Sequence, residues 1–290
     1  MRNEVAILIN TKDRPTELAL LLQSLRTQTF QGFDVFIMDD ASGSPLMNHH
    51  FFNCVIDRLK VENHFVFMMR TEFSEGVNKA RQKIVDWVLP FGYKYFARVD
   101  DDVVLERDYL ERLMKVIDQG YDLASGVTVP MLAPVFKRDP AYLKGVVNRI
   151  VLDEKGNYLF NGDDCGIEYT RSEVLPCHHF RSCALYKSEI HEKANYMPTR
   201  LSKHGFREEQ IFSYRILMNG FKMAVDTGAV NYHQMTPSGG ERSTTNFTGY
   251  NQERFEEFTK EHKDKLPKEF FENPLTEKEL LKTTNLRVVK

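Results

Sequence analysis

A chain of 290 residues, 42% hydrophobic and 28% charged, is globular and long enough to bury a sizeable core, as one large domain or two small ones. A formal net charge of -2 excludes nucleic-acid binding by bulk electrostatics, which needs a basic excess, and leaves only a local basic patch open. No apolar stretch approaches a membrane span, and the run after Met1-Arg2-Asn3-Glu4 is too short for a secretory signal core. The expected setting is cytoplasmic, with peripheral membrane association left open.

Val5 to Ile9 is a continuous apolar run of the kind found in strands buried on both faces. Asn10-Thr11-Lys12-Asp13-Arg14-Pro15 breaks it. Asp13 or Thr16 is expected to cap the next helix, with Pro15 in its first turn and Leu18, Leu20, Leu21, Leu22 and Leu25 as its apolar face. Phe33 to Met38 reads as a second strand, ending in Asp39-Asp40-Ala41-Ser42-Gly43-Ser44, and His64 to Met69 as a third, with no element read between them. Gly76 to Leu89 is an amphipathic helix. Tyr93 to Val99 is a fourth strand that ends in Asp100-Asp101-Asp102, and Asp108 caps a helix after it.

This alternation reads as a parallel, doubly wound α/β sheet, in which ligands bind at the carboxyl ends of the strands. Residues 10–14, 39–44, 71–76 and 100–102 all fall at such ends. Three adjacent carboxylates repel one another and are costly to desolvate, and a hard divalent cation such as Mg²⁺ or Mn²⁺ is the natural compensation. A solvated acidic turn is the alternative.

Leu123 to Val129 reads as another strand and residues 130–139 as a loop. Ile150-Val151-Leu152 and Tyr158-Leu159-Phe160 read as a hairpin, and Asn161 to Pro176 as an irregular lid or acceptor-binding segment. Phe180 to Tyr186 is apolar. His204 to Gln210 opens a helix that runs to Asn219 and stops at Gly220. Lys222 to Asp226 and Ala229 to Tyr232 read as two short strands, followed by His233. Residues 237–245 are rich in glycine and hydroxyls, Gln252 to Lys265 is a charged helix, and the tail is highly charged. The four cysteines, Cys54, Cys165, Cys177 and Cys183, form no C-x-x-C pair. Cys177-His178-His179 with Cys183 matches no common zinc spacing, so unlinked thiols in a reducing compartment are expected.

Taken together over residues 4–235, these features resemble the nucleotide-sugar glycosyltransferases of the GT-A fold, of the family-2 type. Phe36 to Ser42 is similar to that family's base-binding turn. Arg98-Val99-Asp100-Asp101-Asp102 is similar to its D-x-D metal motif. The segment from Gly205 to Gly220, with Glu208-Glu209 and Arg215, is similar to the acidic helix start that carries its catalytic base. The chain departs from the common pattern at Ser74 and Gln82, where the family usually has Asn, and at Glu208-Glu209, where it usually has Glu-Asp.

The resemblance implies an α/β GT-A domain over residues 1–235, with a mostly parallel central sheet flanked by helices. Residues 1–105 would form its nucleotide-binding half and 106–235 its acceptor side, and 236–290 a mobile loop and helical extension. It implies a metal-dependent, inverting transfer from a nucleotide donor, a UDP-sugar favoured, to a saccharide or other hydroxyl acceptor, with Mn²⁺ or Mg²⁺. Asp39 would contact the nucleobase; Thr11, Asp13 and Arg14 the base or diphosphate. Gly76 and Arg81 belong to the donor-side segment. Asp100 and Asp101 would serve the ribose or a metal-bound water, and Asp102 and His233 the metal. Glu209 would be the general base, with Glu208 its rival, and Lys203, Arg207 and Arg242 are phosphate candidates.

Each residue has a plainer reading beside this one. Asp39 can close a turn, Arg14 can be a surface charge, His233 can be structural, and two acids in a first helical turn suit the macrodipole. A nucleotidyltransferase is the rival enzyme, set back by the lack of glycine after the first strand. A nucleotide-sugar binding protein without catalysis is the other alternative.

Overall fold

The structure, a computed structural model, describes residues 3–131, 149–152, 158–161, 166–168, 172–180, 182–194, 201–236, 247–267 and 287–289. Its first half alternates as expected: β1 (Val5–Thr11), α1 (Pro15–Arg26), β2 (Phe33–Asp39), α2 (His50–Val61), β3 (Val66–Arg70), α3 (Val77–Val88), β4 (Tyr95–Asp100), the short β5 (Val103–Leu105) and α4 (Tyr109–Asp118). β6 (Leu123–Pro130) follows, then β7 (Arg149–Leu152), β8 (Tyr158–Asn161), β9 (Gly166–Glu168), β10 (Val174–Cys177) and β11 (Ala184–Lys187). The chain continues through α5 (Glu189–Ala194), α6 (Glu208–Met218), β12 (Met223–His233), α7 (Phe247–His262) and β13 (Arg287–Val289).

Among the described residues, nine strands form one sheet in the order β3-β2-β1-β4-β11-β6-β12-β10, with β5 on β12. β4, β1, β2 and β3 are parallel neighbours. β11 runs antiparallel between β4 and β6, and β6 is parallel to β12. The sheet is therefore parallel over β3-β2-β1-β4 and mixed beyond β4. Successive strand residues face opposite layers. Leu8, Phe36 and Met38 pack with Ala80, Ile84 and Val85 of α3 and Phe212 and Ile216 of α6. Ile7, Ile9, Val35 and Ile37 pack with Leu18, Leu21, Leu22 and Leu25 of α1 and Leu110 and Leu113 of α4. Each fully buried side chain of this kind contributes about 1.5–3 kcal/mol, so both layers hold the strand ends rigidly in place.

Several details differ from the sequence reading. α2 was not read, although Phe52, Val55, Ile56 and Leu59 recur at helical spacing and are all buried. Arg14, not Asp13 or Thr16, occupies the cap position of α1, without a capping side chain. Leu20 of that helix is exposed. Asp108 does stand at the cap of α4, but its carboxylate accepts from Arg112 Nε at 2.7 Å instead of capping. The two short strands expected at 222–232 are one strand, β12, with a register shift between Val225 and Val230. α7 begins at Phe247, earlier than Gln252. The hairpin pairs as expected, Ile150 opposite Phe160 and Val151 opposite Leu159. Arg242, Cys165, and residues 132–139 and 237–245 lie outside the described residues.

Cys54, Cys177 and Cys183 are thiols, not disulfides, and burial pushes the Cys183 thiol up to about 12. No helix among the described residues is long and apolar enough to cross a membrane.

Two core histidines make the fold acid-sensitive. His179 pairs with Ser213 Oγ at 3.0 Å, and His191 with Tyr186 Oη at 2.9 Å while stacking on Phe212. Burial pulls each from the usual 6.5 down to about 3. The unfolded chain therefore binds these protons first, and stability is complete above about 6.5 and falls as pH drops towards about 3. Each histidine should contribute a slope of up to about 1.4 kcal/mol per pH unit in that window. Urea titrations between pH 4 and 7 should show a shallower slope in His191→Gln than in the parent protein.

Candidate active site

The loops at the carboxyl ends of β1, β2, β3 and β4 are bonded to one another. Asp13 N donates to Ser42 Oγ at 2.8 Å, and Gly43 N donates to Asp13 Oδ1 at 2.6 Å. Asp13 and Ala41 hold φ of 55° and 56°, a left-handed conformation uncommon outside glycine. Asp39, 1% exposed, accepts from Ser42 N at 2.9 Å through Oδ1 and from Arg70 Nη1 at 3.0 Å through Oδ2. Asp39 thus closes its own turn. Thr11 is buried beside it at the end of β1.

Asp40 has a role that the sequence reading did not assign. Its carboxylate accepts from Ser74 Oγ (2.6 Å), Glu75 N (3.0 Å) and Gly76 N (3.2 Å), and so shapes the entry to α3. Gly76 has φ 88°, and a Cβ there would lie 2.5 Å from the Lys203 carbonyl oxygen. Its place in the site is this close approach, sealed by the bond from Val77 N to Lys203 O at 3.0 Å.

The acidic triplet splits three ways. Asp100 Oδ1 pairs with Arg81 Nη2 at 2.8 Å, and its Oδ2 accepts from Ser182 Oγ at 2.5 Å. Asp101 Oδ1 accepts from Arg14 Nη1 at 2.8 Å. Asp102 Oδ2 lies 2.9 Å from the same Arg14 nitrogen and 3.3 Å from His233 Nε2. Arg14 is buried, not a surface charge, and its Nη2 donates to Thr236 O at 3.0 Å. Burial pushes Asp101 up to about 6, aided by Asp102 and opposed by Arg14. For Asp100 burial also pushes upward, but Arg81 and Arg98 outweigh it and hold the group at about 2. The bond to Asp102 raises His233 above its ordinary value.

Glu208 and Glu209 open α6 beside the triplet. Glu208 pairs with Arg81, and with Arg98 Nη2 at 2.9 Å. Glu209 Oε1 pairs with that same Arg98 nitrogen and accepts from Ser182 N at 3.3 Å. The Glu209 side chain is 28% exposed and that of Glu208 only 5%. A pocket adjoins the cluster, lined by Asn10, Arg81, Arg98, Asp100 and Tyr186 among others. Both amide atoms of Asn10 are buried there without a hydrogen-bond partner among the described residues, which a bound water or polar ligand would supply.

Arg207 is drawn elsewhere. It donates to Gln252 Oε1 at 2.8 Å and Gln210 Oε1 at 2.6 Å and lies over the Phe206 ring, so it clamps α6 to α7 instead of waiting for phosphate. Asn10, Asp40 and Arg98 fall in segments that the sequence places at the strand ends or in the matching motifs without a role of their own, and Ser182 falls in a run read only as apolar. Only the charge of Arg98 inside an apolar run was a visible signal.

Removing one member of a buried ion cluster strands the others, at a cost of about 3–5 kcal/mol, whereas an exposed pair is worth under about 1 kcal/mol. Arg81→Met should therefore lose several kcal/mol in urea unfolding. Lys83→Met, which breaks the exposed pair with Glu75, should change stability little.

The profile of glycosyl transferase family 2 matches residues 6–175. No curated protein sequence matches the chain. Solved structures share the fold. TarS 1-349 of S. aureus, in complex with UDP-GlcNAc, aligns at TM-score 0.58 and 15% identity, over 84% of this chain and 62% of that one. GalNAc-T7 with UDP, GalNAc and Mn²⁺ aligns at 0.64 and 15% identity, over 98% and 57%. The mannosyltransferase PcManGT from Pyrobaculum calidifontis, in complex with GDP-Man and Mn²⁺, aligns at 0.55 and 16% identity, over 93% and 67%. The chain thus spans about three fifths of the TarS 1-349 chain. At such identity these likenesses speak for the GT-A fold alone, and the profile match over more than half of the chain carries the assignment: the chain belongs to glycosyl transferase family 2.

Proposed function

We propose that this chain is a metal-dependent, inverting glycosyltransferase that moves a sugar from a nucleotide donor, a UDP-sugar first, onto a saccharide or other hydroxyl acceptor. The observation that carries the reading is the arrangement around Asp100. On one side Asp102 and His233 face each other at 3.3 Å; on the other, Glu209 holds a half-buried carboxylate whose side chain is 28% exposed.

A carboxylate oxygen and an imidazole, completed by diphosphate oxygens and water, suit Mn²⁺ or Mg²⁺. Asp102 and His233 would hold the ion. Here His233 Nδ1 accepts from Met235 N at 3.2 Å, which leaves Nε2 as the protonated nitrogen toward Asp102; ligation requires the opposite tautomer. The ion, when bound, neutralises the nucleoside diphosphate as it leaves. Arg14, which now balances Asp101 and Asp102, adds a second positive charge beside that leaving group. Asp39, Thr11 and Asp13 form the turn that would receive the base, and Asp100 with Arg81 lines the donor side. The similar structures hold both UDP and GDP compounds, and the preference for UDP rests on the Asp39 turn alone.

Glu209 is the general base of this reading. Its Oε1 is held by Arg98 and the Ser182 amide, so Oε2 is the oxygen turned to an incoming hydroxyl. It takes the proton as that hydroxyl attacks the anomeric carbon opposite the departing diphosphate. Glu208, buried between two arginines, orients them. Residues 1–235 would form the catalytic domain.

A thermal-shift screen of nucleotide-sugars with and without Mn²⁺ tests the core of the reading. UDP-sugars should stabilise the protein only with metal present, and no shift with any nucleotide would end it. Glu209→Gln should lower transfer by about 10²–10⁴-fold while leaving donor binding intact. Full turnover in Glu209→Gln together with loss in Glu208→Gln would move the base to Glu208.

A further inference from the structure

Ser182 stands just before β11 with φ of 52°, in the left-handed region that a residue with a Cβ rarely adopts. Such strain persists only where the surroundings enforce it, and it concentrates at functional sites. The surroundings here are two carboxylates from different elements. The Ser182 hydroxyl donates to Asp100 Oδ2 at 2.5 Å, and its backbone N–H donates to Glu209 Oε1 at 3.3 Å.

The register explains the first bond. β11 is antiparallel to β4 with Ala184 opposite Arg98, so two residues further back Ser182 comes opposite Asp100. The positive φ explains the second, because it turns the N–H out of the ladder direction and toward the start of α6. A glycine would satisfy this backbone without strain. What serine adds is the hydroxyl on Asp100, whose other oxygen Arg81 already holds.

We propose that Ser182 is a positioning residue for the transfer, joining the first carboxylate of the acidic triplet to the general base. It acts through Asp100 and Glu209, not on the substrate. With Arg98 it occupies Oε1 of Glu209 and fixes the direction of Oε2. It also makes the geometry of the base depend on that of Asp100, which lines the donor side, so that the base is aligned against the donor and not merely against its own helix. This inference rests on Glu209 being the base.

The test uses Ser182→Gly and Ser182→Ala in the full chain, with initial rates of sugar transfer, donor KM and Tm. Both variants remove the hydroxyl, and Ser182→Gly also relieves the backbone, so it separates activity from folding. Ser182→Gly should keep its Tm within about 3 °C of the parent and its donor KM within about three-fold, while kcat falls about ten-fold or more. Ser182→Ala should show a similar loss of kcat. In a Glu209→Gln background the same substitutions should cost almost nothing further, because they act through a group already removed. Parental kcat in Ser182→Gly would overturn the proposal. So would a loss that tracks Tm or donor KM, or a full further loss on top of Glu209→Gln. If Glu209→Gln alone keeps parental turnover, the base assignment fails first, and that result is read without any Ser182 variant.

Discussion

Everything in this site depends on how five carboxylates, three of them buried and two half-buried, are kept together. Asp100, Asp101, Asp102, Glu208 and Glu209 meet three guanidiniums, those of Arg14, Arg81 and Arg98. An unpaired buried carboxylate is very costly, and a half-paired cluster is costlier than none. The arginines therefore hold the geometry, and each bridges at least two acids. His233 adds a further partner on Asp102. Burial is the main reason Asp101 is pushed up to about 6, with Asp102 adding to the rise and Arg14 opposing it.

The fold supplies the convergence. Parallel strands β1, β2 and β4 end on one edge, and their side chains are locked by two apolar layers. The loops beyond are held by short polar bonds instead. Asp40 shapes the entry to α3, and so places Arg81. Residues 202–207 are pinned on two sides, by Val77 and Asn78 of α3 and by Asn251 of α7, whose amide meets Ser202 twice, at 2.8 and 2.9 Å. Gly205, with φ 73° and no room for a Cβ beside Val77, lets that loop pass. Helix α6 then starts where Glu208 and Glu209 reach the arginines.

Much of this was legible in the chain. The apolar run of β1, the leucine face of α1 and the strand that ends in three acids follow from period and composition, because core burial selects those patterns locally. The order of the acidic turn, the triplet and the acidic helix start pointed to the family. α2 is also legible in Phe52, Val55, Ile56 and Leu59, which recur at helical spacing. The capping errors at Asp13 and Asp108 have another cause. Both carboxylates found tertiary or side-chain donors, in Gly43 and Arg112, that compete with the helix end.

The sequence by itself determined the layered α/β architecture, the edge at which polar segments gather, and the candidate acids in their order. It could do so because burial periodicity and strand-end position are properties of a local stretch. Only the tertiary structure decided that the triplet divides, with Asp100 turned to Ser182 and Arg81, Asp101 to Arg14, and Asp102 to His233. It also decided that Glu209 is the more exposed of the two glutamates and that Ser182 ties it to Asp100. These facts are pairings between residues from about 20 to about 130 positions apart, and an ionic partner is chosen by distance and direction in space, on which a one-dimensional pattern carries no information.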